Sequence, residues 1–263
     1  MGEIRSERAD RWDWMRLHLG KANAVGPEFL AALDKEIDRL SAVDAGGPAR
    51  PVLLVGQGSA FSAGLDLRTL IGFDRARMAS FVRDFHGVFL RLACLPRPTI
   101  AVVNGHAVAG GAVLAVACDY RIGVQTIPGS NTVPLLGFNE VAVGLPFPLA
   151  AAAIIEHGMG GPGLAGDLMM SGRMLEPAGA LQRGLLHEVS EPEGLVQAAE
   201  AAADRFANAS GAAFAAVKAG LKRDLVPLAA QHADDSVFLD AWFSPEAQGR
   251  LKHVAARLGG DRP

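Results

Sequence analysis

Residues 98–122 read PTIAVVNGHAVAGGAVLAVACDYRI, and this stretch decides the fold class. Its first part, TIAVV at 99–103, is a β-branched and apolar run of the kind found in buried strands. A glycine-containing turn then leads into an apolar run that predicts a helix from about Gly110, and a second strand is expected near 120–123. A strand, a helix and another strand in this order predict an α/β core.

The same order appears on the N-terminal side of this stretch. Residues 14–19 alternate apolar and polar side chains, which predicts a half-buried strand that ends at Gly20. A helix is predicted over 27–40, because its apolar residues recur every three or four positions and form one face. The turn Gly46-Gly47-Pro48 separates this helix from an apolar strand at 51–55.

The pattern changes towards the C-terminus. A last strand is expected at 185–189, and from about Pro192 onward the composition is typical of helices only. The predicted helical stretches are 193–209, 211–224 and 227–258, which are interrupted by Gly211, Pro227 and Pro245. We therefore predict an α/β core over residues 1–191 and a helical region over residues 192–263.

Composition narrows the class of protein. The 263 residues carry a formal net charge of −3 with scattered cations, so we expect no nucleic-acid partner. Cys94 and Cys118 lack the spacing of a disulfide framework or a zinc site, and no metal is expected. The N-terminal residues are charged, and no apolar run reaches about 20 residues. We expect a protein of the cytoplasm without a membrane partner.

Two glycine-containing turns are candidates for chemistry. Residues 56–70, GQGSAFSAGLDLRTL, and residues 104–119, NGHAVAGGAVLAVACD, each follow a predicted strand and precede a predicted helix. Glycine lets backbone N–H groups turn outward, and two such groups aimed at one oxygen form an oxyanion hole. The simpler interpretations stay open: Asp66 caps a helix in the first turn, and the pair Gly110-Gly111 allows close helix packing in the second.

Together these segments resemble the crotonase (enoyl-CoA hydratase/isomerase) superfamily, from FSAGLDL at 61–67 to PTIAVVNGHAVAGG at 98–111 and CDYRI at 118–122. The resemblance implies a spiral of strand–strand–helix turns and C-terminal helices that assemble a homotrimer or a dimer of trimers. It also implies an acyl-CoA thioester as substrate, with coenzyme A as part of that substrate and no further cofactor. The positions that match the thioester-polarising N–H groups are Leu65 and Gly110. Expected substrate contacts are Ala63, Gly64, Asp66, Leu67, Asn139 and Lys21, the last near the nucleotide end of coenzyme A.

The resemblance also indicates which acid acts as the base. Hydratases of this family use two glutamates, and the matching positions here are Val113 and Glu140. Glu140 lies in the apolar run PLLGFNEVAVGLPFPLAAAA, where its pKa is expected to be raised. GFNEVAVGLPFP is similar to the corresponding stretch of mitochondrial-type Δ3,Δ2-enoyl-CoA isomerases, which rely on one glutamate. We therefore expect an isomerase that moves the double bond of a 3-enoyl-CoA to the 2-position.

Two other functions remain open at this point. One is different chemistry of the same superfamily, such as an enoyl-CoA hydratase, hydrolase or lyase, although Val113 disfavours hydration. The other is a scaffold that binds acyl-CoA without turnover. His106 is expected to be an ordinary turn residue, Asp119 and Arg121 to form a structural ion pair or cap, and the apolar face of 225–243 to form a subunit contact or to cover the chain's own core.

Overall fold

The computed structural model describes residues 2–41, 47–230 and 235–259. Within these residues the strands are β1 Glu3–Arg8, β2 Asp13–His18, β3 Val52–Gly56, β4 Ala60–Ser62, β5 Thr99–Val103, β6 His106–Val108, β7 Tyr120–Val124, β8 Leu136–Gly137 and β9 Glu188–Ser190. The α-helices are α1 Pro27–Leu40, α2 Leu67–Leu70, α3 Arg75–Ala93, α4 Gly110–Ala117, α5 Leu149–Gly158, α6 Pro162–Ser171, α7 Pro177–Gln182, α8 Leu195–Ala207, α9 Gly211–Leu221, α10 Val226–Ala230, α11 Ser236–Trp242 and α12 Pro245–Gly259.

The strands form two sheets. The larger has the order β1-β2-β3-β5-β7-β9, in which β1 and β2 are antiparallel and the other neighbours are parallel. The smaller consists of the short parallel strands β4-β6-β8. Each strand β3, β5 and β7 is thus followed by a short strand of the second sheet and then by helix. This repeat confirms the predicted crotonase-like spiral with a helical C-terminal region.

The first helix shows how the sequence forms these elements. Helix α1 begins with Pro27, whose fixed φ suits a first helical position and whose missing N–H costs nothing there. The predicted apolar face is buried to within 2% exposure and packs into the main core; it consists of Phe29, Leu30, Leu33, Ile37 and Leu40. The predicted bounds 27–40 are confirmed.

The larger sheet is buried on both faces. Successive side chains of a strand point to opposite sides, so β3 and β5 supply residues to two cores. On one side Leu54 and Val103 join the main core with helices α3 and α4. On the other side α8 covers the sheet with Leu195, Ala199, Ala202 and Ala203. Helix α8 belongs to the predicted helical region, and a boundary at 191/192 remains a prediction.

The structure corrects one prediction about a strand and adds a strand that was not predicted. The strand predicted at 185–189 is β9, which begins at Glu188. Leu185 and Leu186 are buried in the preceding turn, where the Leu185 carbonyl accepts from Arg121 and the Leu186 N–H donates to Ala180. Strand β1 was not predicted because its sequence, EIRSER, is mostly polar.

The C-terminal helices pack partly on their own chain. Leu225, Phe238 and Trp242 are at most 4% exposed within the main core, so these residues of the face 225–243 cover the chain's own core, the second of the two expected roles, whereas Val237 is 70% exposed. None of the helices in the described ranges has the length and apolar character needed to cross a membrane. Gly46, His232 and part of the predicted helix 227–258 lie outside the described residues.

Asp119 and Arg121 both have structural roles, but with different partners. Asp119 lies 2.6 Å from Lys218 Nζ and 3.1 Å from Lys222 Nζ, which ties α9 to the end of α4. The buried Arg121 guanidinium instead donates to carbonyl oxygens of Cys118, Gly158, Gly184 and Leu185, at or just beyond the carboxyl ends of α4, α5 and α7. Cations are favoured at helix carboxyl ends. The expected ion pair therefore joins Asp119 to lysines, not to Arg121.

Candidate active site

The two glycine-containing turns meet at one end of the parallel sheet. Strands β3 and β5 are neighbours in register, and β4 pairs with β6, so the turns that follow them lie side by side. The contact is close enough to require glycine. A Cβ on Gly64, which has a φ of +82°, would lie 2.6 Å from the Val108 carbonyl oxygen. A Cβ on Gly111 would lie 2.2 Å from the Ser62 carbonyl oxygen.

Two backbone N–H groups, one from each turn, are available beside each other. The Gly64 carbonyl accepts from Val25 at 2.7 Å and the Asp66 N–H donates to the Val25 carbonyl at 3.0 Å. In this parallel bridge the N–H of the intervening Leu65 points to the opposite side. Gly110 is the first residue of α4, so its N–H has no intrahelical acceptor. A Cβ on Gly110 would lie 3.8 Å from Leu65 N, and in the described part of the chain neither N–H donates to a protein acceptor.

Ala109 holds the start of α4 in an unusual backbone conformation. Its φ of 50° and ψ of −124° lie in a region that alanine rarely adopts, at a cost of about 1–3 kcal/mol. Its N–H donates to the Gly137 carbonyl at 2.8 Å, and its carbonyl accepts from Ala112 and Val113. These bonds fix the peptide that precedes the Gly110 N–H. Sequence reasoning missed this residue, because the strain appears only in the backbone conformation of the folded chain.

Glu140 approaches the same place from a third segment. It begins the short 3₁₀ helix Glu140–Val143 after β8 and is 9% exposed. Burial raises the pKa of its carboxyl group to about 8, although its own backbone N–H opposes the shift. Among the described residues, Oε2 has no hydrogen-bond partner. Glu140 is thus a desolvated acid with a free oxygen, which suits a group that takes and returns a proton near neutral pH.

An inner cavity of about 30 Å³ brings the three predicted catalytic residues together. Leu65, Gly110 and Glu140 all line it, and so does Val113, which is 0% exposed. The other lining residues are apolar: Phe81, Val82, Phe85, Leu145, Pro148, Ala151 and Phe238. Glu140 is the one ionisable side chain among these lining residues. The aromatic members were missed by sequence analysis because they come from α3 and α11, far from the motifs.

An outer cavity of about 330 Å³ adjoins this site, and Leu65 lines both. Its other lining residues are Gly20, Lys21, Ala22, Ala24, Ala63, Asp66, Leu67, Arg68 and Thr69. Four of the predicted substrate contacts are therefore here, and Gly64 is adjacent to them in the chain. Arg68 adds a cation that sequence reasoning overlooked, although it directly follows the FSAGLDL motif.

Two of the predicted substrate-contact residues, Asp66 and Asn139, make hydrogen bonds within their own turns. Asp66 caps α2, since its carboxylate accepts from the Thr69 N–H at 3.3 Å and from Thr69 Oγ1 at 2.5 Å, while also lining the outer cavity. Asn139 is half-buried and lines neither cavity; its carbonyl accepts from the Ala142 N–H at 3.1 Å. His106 accepts from the Leu135 N–H, a structural role.

No cluster of three or more His, Cys, Asp or Glu side chains in the described ranges has the arrangement of a metal site. The described residues of the site supply two backbone donors, one buried acid and an apolar wall. Such a set stabilises a developing oxyanion and moves a proton on the adjacent carbon.

Comparisons with known proteins show the family of this chain. The sequence model of the enoyl-CoA hydratase/isomerase family matches residues 15–251. A Thermus thermophilus protein named an enoyl-CoA hydratase is 36% identical over 194 residues, which is 71% of this chain and 70% of the relative. A Mycobacterium avium protein, also named an enoyl-CoA hydratase, is 36% identical over 197 residues, or 74% and 70% of the two chains.

A solved structure extends the likeness to the whole chain. Human mitochondrial Δ3,Δ2-enoyl-CoA isomerase superposes with a TM-score of 0.85 at 25% identity, covering 99% of this chain and 100% of the human one. The family match spans both glycine-containing turns, Glu140 and most of the C-terminal helices. This chain therefore belongs to the crotonase superfamily, as an acyl-CoA enzyme of the enoyl-CoA hydratase/isomerase family.

Proposed function

We propose that this enzyme moves the double bond of a 3-enoyl-CoA to the 2-position. The observation that carries the proposal is the composition of the inner cavity, in which Glu140 is the one ionisable group among the lining residues and Val113 forms part of the apolar wall. A double-bond shift needs one group that removes and returns a proton. Hydration in this family uses two carboxylates to hold and activate water.

Substrate binding follows from the two cavities. The coenzyme A part occupies the outer cavity, where Lys21 and Arg68 supply cations that suit phosphate groups. The acyl part passes Leu65 into the inner cavity, because Leu65 lines both spaces. This path brings the thioester carbonyl beside the N–H groups of Leu65 and Gly110. Asn139 lines neither cavity, so its part in binding is to position Glu140, the next residue in the chain.

The proton transfer then proceeds in two steps. The Glu140 carboxylate removes a proton from C2, and the electron pair of that C–H bond forms the C1–C2 double bond of an enolate. The negative charge rests on the thioester oxygen, where one preorganised donor is typically worth about 3–4 kcal/mol of barrier. Glu140 then returns the proton to C4. As it does so, the enolate oxygen restores the C1 carbonyl, the C1–C2 double-bond pair forms the C2–C3 double bond, and the C3–C4 double-bond pair forms the new C4–H bond, so atoms and charge balance.

Hydration of a 2-enoyl-CoA is the second candidate function, because the relatives of Thermus thermophilus and Mycobacterium avium are named hydratases. The likeness to the human isomerase supports isomerisation, the first candidate function. Val113 favours isomerisation over hydration, since it is fully buried and places an apolar side chain on the cavity wall. An apolar group cannot accept a hydrogen bond from water.

The test is to replace Glu140 with Gln. The amide preserves shape but cannot accept a proton from C2, so we expect the isomerisation rate of a 3-enoyl-CoA to fall about 10²–10⁴-fold. Binding of butyryl-CoA should change little. Glu156→Gln is the matched control, since Glu156 is exposed on α5. Near-normal isomerisation by Glu140→Gln would remove Glu140 from the role of base.

We also propose that the chain assembles as a homotrimer or a dimer of trimers. The family resemblance supports this, as do exposed apolar side chains on α6 and α9, such as Met170 at 78% and Leu221 at 66% exposure. Light scattering coupled to size exclusion tests it. A mass of three or six chains is expected, and a monomer would contradict the proposal.

A further inference from the structure

The inner and outer cavities differ about tenfold in size. The outer cavity, about 330 Å³, falls within the range of ordinary ligand pockets. The inner cavity measures only about 30 Å³, and apart from Glu140 and Gly110 its lining residues are apolar. An acyl chain that enters it must therefore fit between its apolar walls.

Three phenylalanine rings limit this space. Phe81 and Phe85 lie one turn apart on α3, Phe238 lies on α11, and each is at most 4% exposed. Two of the rings are supported from behind. Phe85 stacks on Phe89 with centroids 4.0 Å apart, and Phe238 packs on Trp242 with centroids 5.9 Å apart. Moving either ring would disturb a packed neighbour, so the wall resists displacement.

Polar contacts hold α11, which carries Phe238, near both of its ends. Before its start, Asp235 Oδ1 accepts from the Leu149 N–H of α5 at 3.0 Å. Asp235 Oδ2 also lies 3.2 Å from His86 Nε2 of α3, but burial lowers the pKa of His86 and Nε2 makes no hydrogen bond among the described residues. Nearer its end, Asp240 accepts from Arg75 of α3 at 2.5 Å. The helix that closes the cavity is thus held against α5 and α3.

We propose that the acyl site takes short acyl groups, such as butyryl, and that Phe238 sets the limit. The proposal rests on the proposed function for the placement of the acyl chain in the inner cavity. A chain of this length still presents both C2 and C4 to Glu140. A longer chain meets the rings of Phe81, Phe85 and Phe238 before its thioester reaches the donors.

The test measures binding, so it does not depend on which reaction the enzyme performs. The dissociation constants of butyryl-CoA and decanoyl-CoA are compared by calorimetry, with free coenzyme A as the reference for the outer cavity. For the unmodified protein we expect butyryl-CoA to bind at least about tenfold more tightly than decanoyl-CoA, since one misplaced methylene typically costs roughly 10–200-fold.

Three variants assign the limit to a residue. Phe238→Ala should close the gap between the two ligands, and Phe238→Leu should narrow it in a more conservative way. Phe29→Leu is the matched control, because Phe29 is equally buried but lies on α1 away from the cavity. It should keep the wild-type preference. Near-ultraviolet circular dichroism checks folding, and if Phe238→Ala does not fold, Phe238→Leu decides the question.

The outcomes separate this proposal from the proposed function. Decanoyl-CoA binding as tightly as butyryl-CoA to the unmodified protein overturns the chain-length limit, and so does binding of no acyl-CoA better than free coenzyme A. A folded Phe238 variant with an unchanged preference overturns the assignment to Phe238. Selective binding of butyryl-CoA without isomerisation of a 3-enoyl-CoA leaves the chain-length limit standing and overturns the isomerase function instead.

Discussion

Replacing Glu140 with Gln should make the protein more stable at alkaline pH while greatly lowering its activity. Burial raises the pKa of Glu140 from 4.5 to about 8 in the folded chain. Below about pH 4.5 the acid is protonated in both the folded and unfolded states, so it does not change the free energy of unfolding. Between pH 4.5 and about 8 the unfolded chain releases the proton and the folded chain keeps it, so stability falls as pH rises. Above about pH 8 the loss is complete.

The size of the effect follows from the same two values. At about 1.4 kcal/mol per pH unit, the difference between 4.5 and about 8 corresponds to at most about 5 kcal/mol. Such a loss is large beside the 5–15 kcal/mol that stabilises a typical domain. Gln cannot ionise, so the variant avoids the loss.

Urea unfolding from about pH 5 to about pH 9, followed by tryptophan fluorescence, measures this difference. We expect the stability advantage of Glu140→Gln over the wild type to grow across this range and to level off near pH 8. Glu156→Gln should show no such trend, because that side chain is exposed. A difference between Glu140→Gln and wild type that stays constant with pH would refute the burial of an ionisable acid at this position.

The other predictions concern turnover. The kcat/KM for a 3-enoyl-CoA should rise with pH and level off above about 8, because the free enzyme needs ionised Glu140; a profile that falls over this range contradicts the base assignment. Gly110→Pro removes one donor N–H at a position where proline suits a helix start, and it should lower kcat about 10²–10³-fold. Gly110→Ala keeps the N–H, and its Cβ would make only ordinary contacts, so kcat should change little. Equal rates for the two variants, both shown to be folded, would exclude this donor. Val113→Glu should raise the ratio of hydrated product to isomer, although burying an unpaired acid costs several kcal/mol of stability. An unchanged product ratio in a folded variant would contradict the role of Val113.

The parts of the site that the sequence predicted lie in short motifs. Leu65 and Gly110 each follow a strand within about ten residues, so local pattern and family likeness place them on turns. Glu140 stands out as an acid inside an apolar run. The structure adds that all three line one cavity.

The parts that were missed depend on contacts between distant segments. Phe81 and Phe238 face the same cavity, yet 157 positions separate them, and nothing in either local sequence indicates the other. Strand β1 has Ile4 as its one buried residue among those described, so its pattern carries little signal. Arg121 is surrounded by carbonyls from several elements, so of the two expected roles it acts as a cap, while Asp119 forms its ion pairs with Lys218 and Lys222.

The central claim is that one carboxylate in an apolar cavity shifts a double bond and does not add water. A side-by-side assay tests it most directly: unmodified protein is given a 3-enoyl-CoA and a 2-enoyl-CoA of about six carbons, and both the isomer and the 3-hydroxyacyl product are quantified by chromatography. The account predicts rapid conversion of the 3-enoyl-CoA to the 2-enoyl-CoA. Hydration should be slower by at least about 10²-fold, because the site lacks a second acid–base group among its lining residues. Hydration of the 2-enoyl-CoA as fast as isomerisation would contradict it.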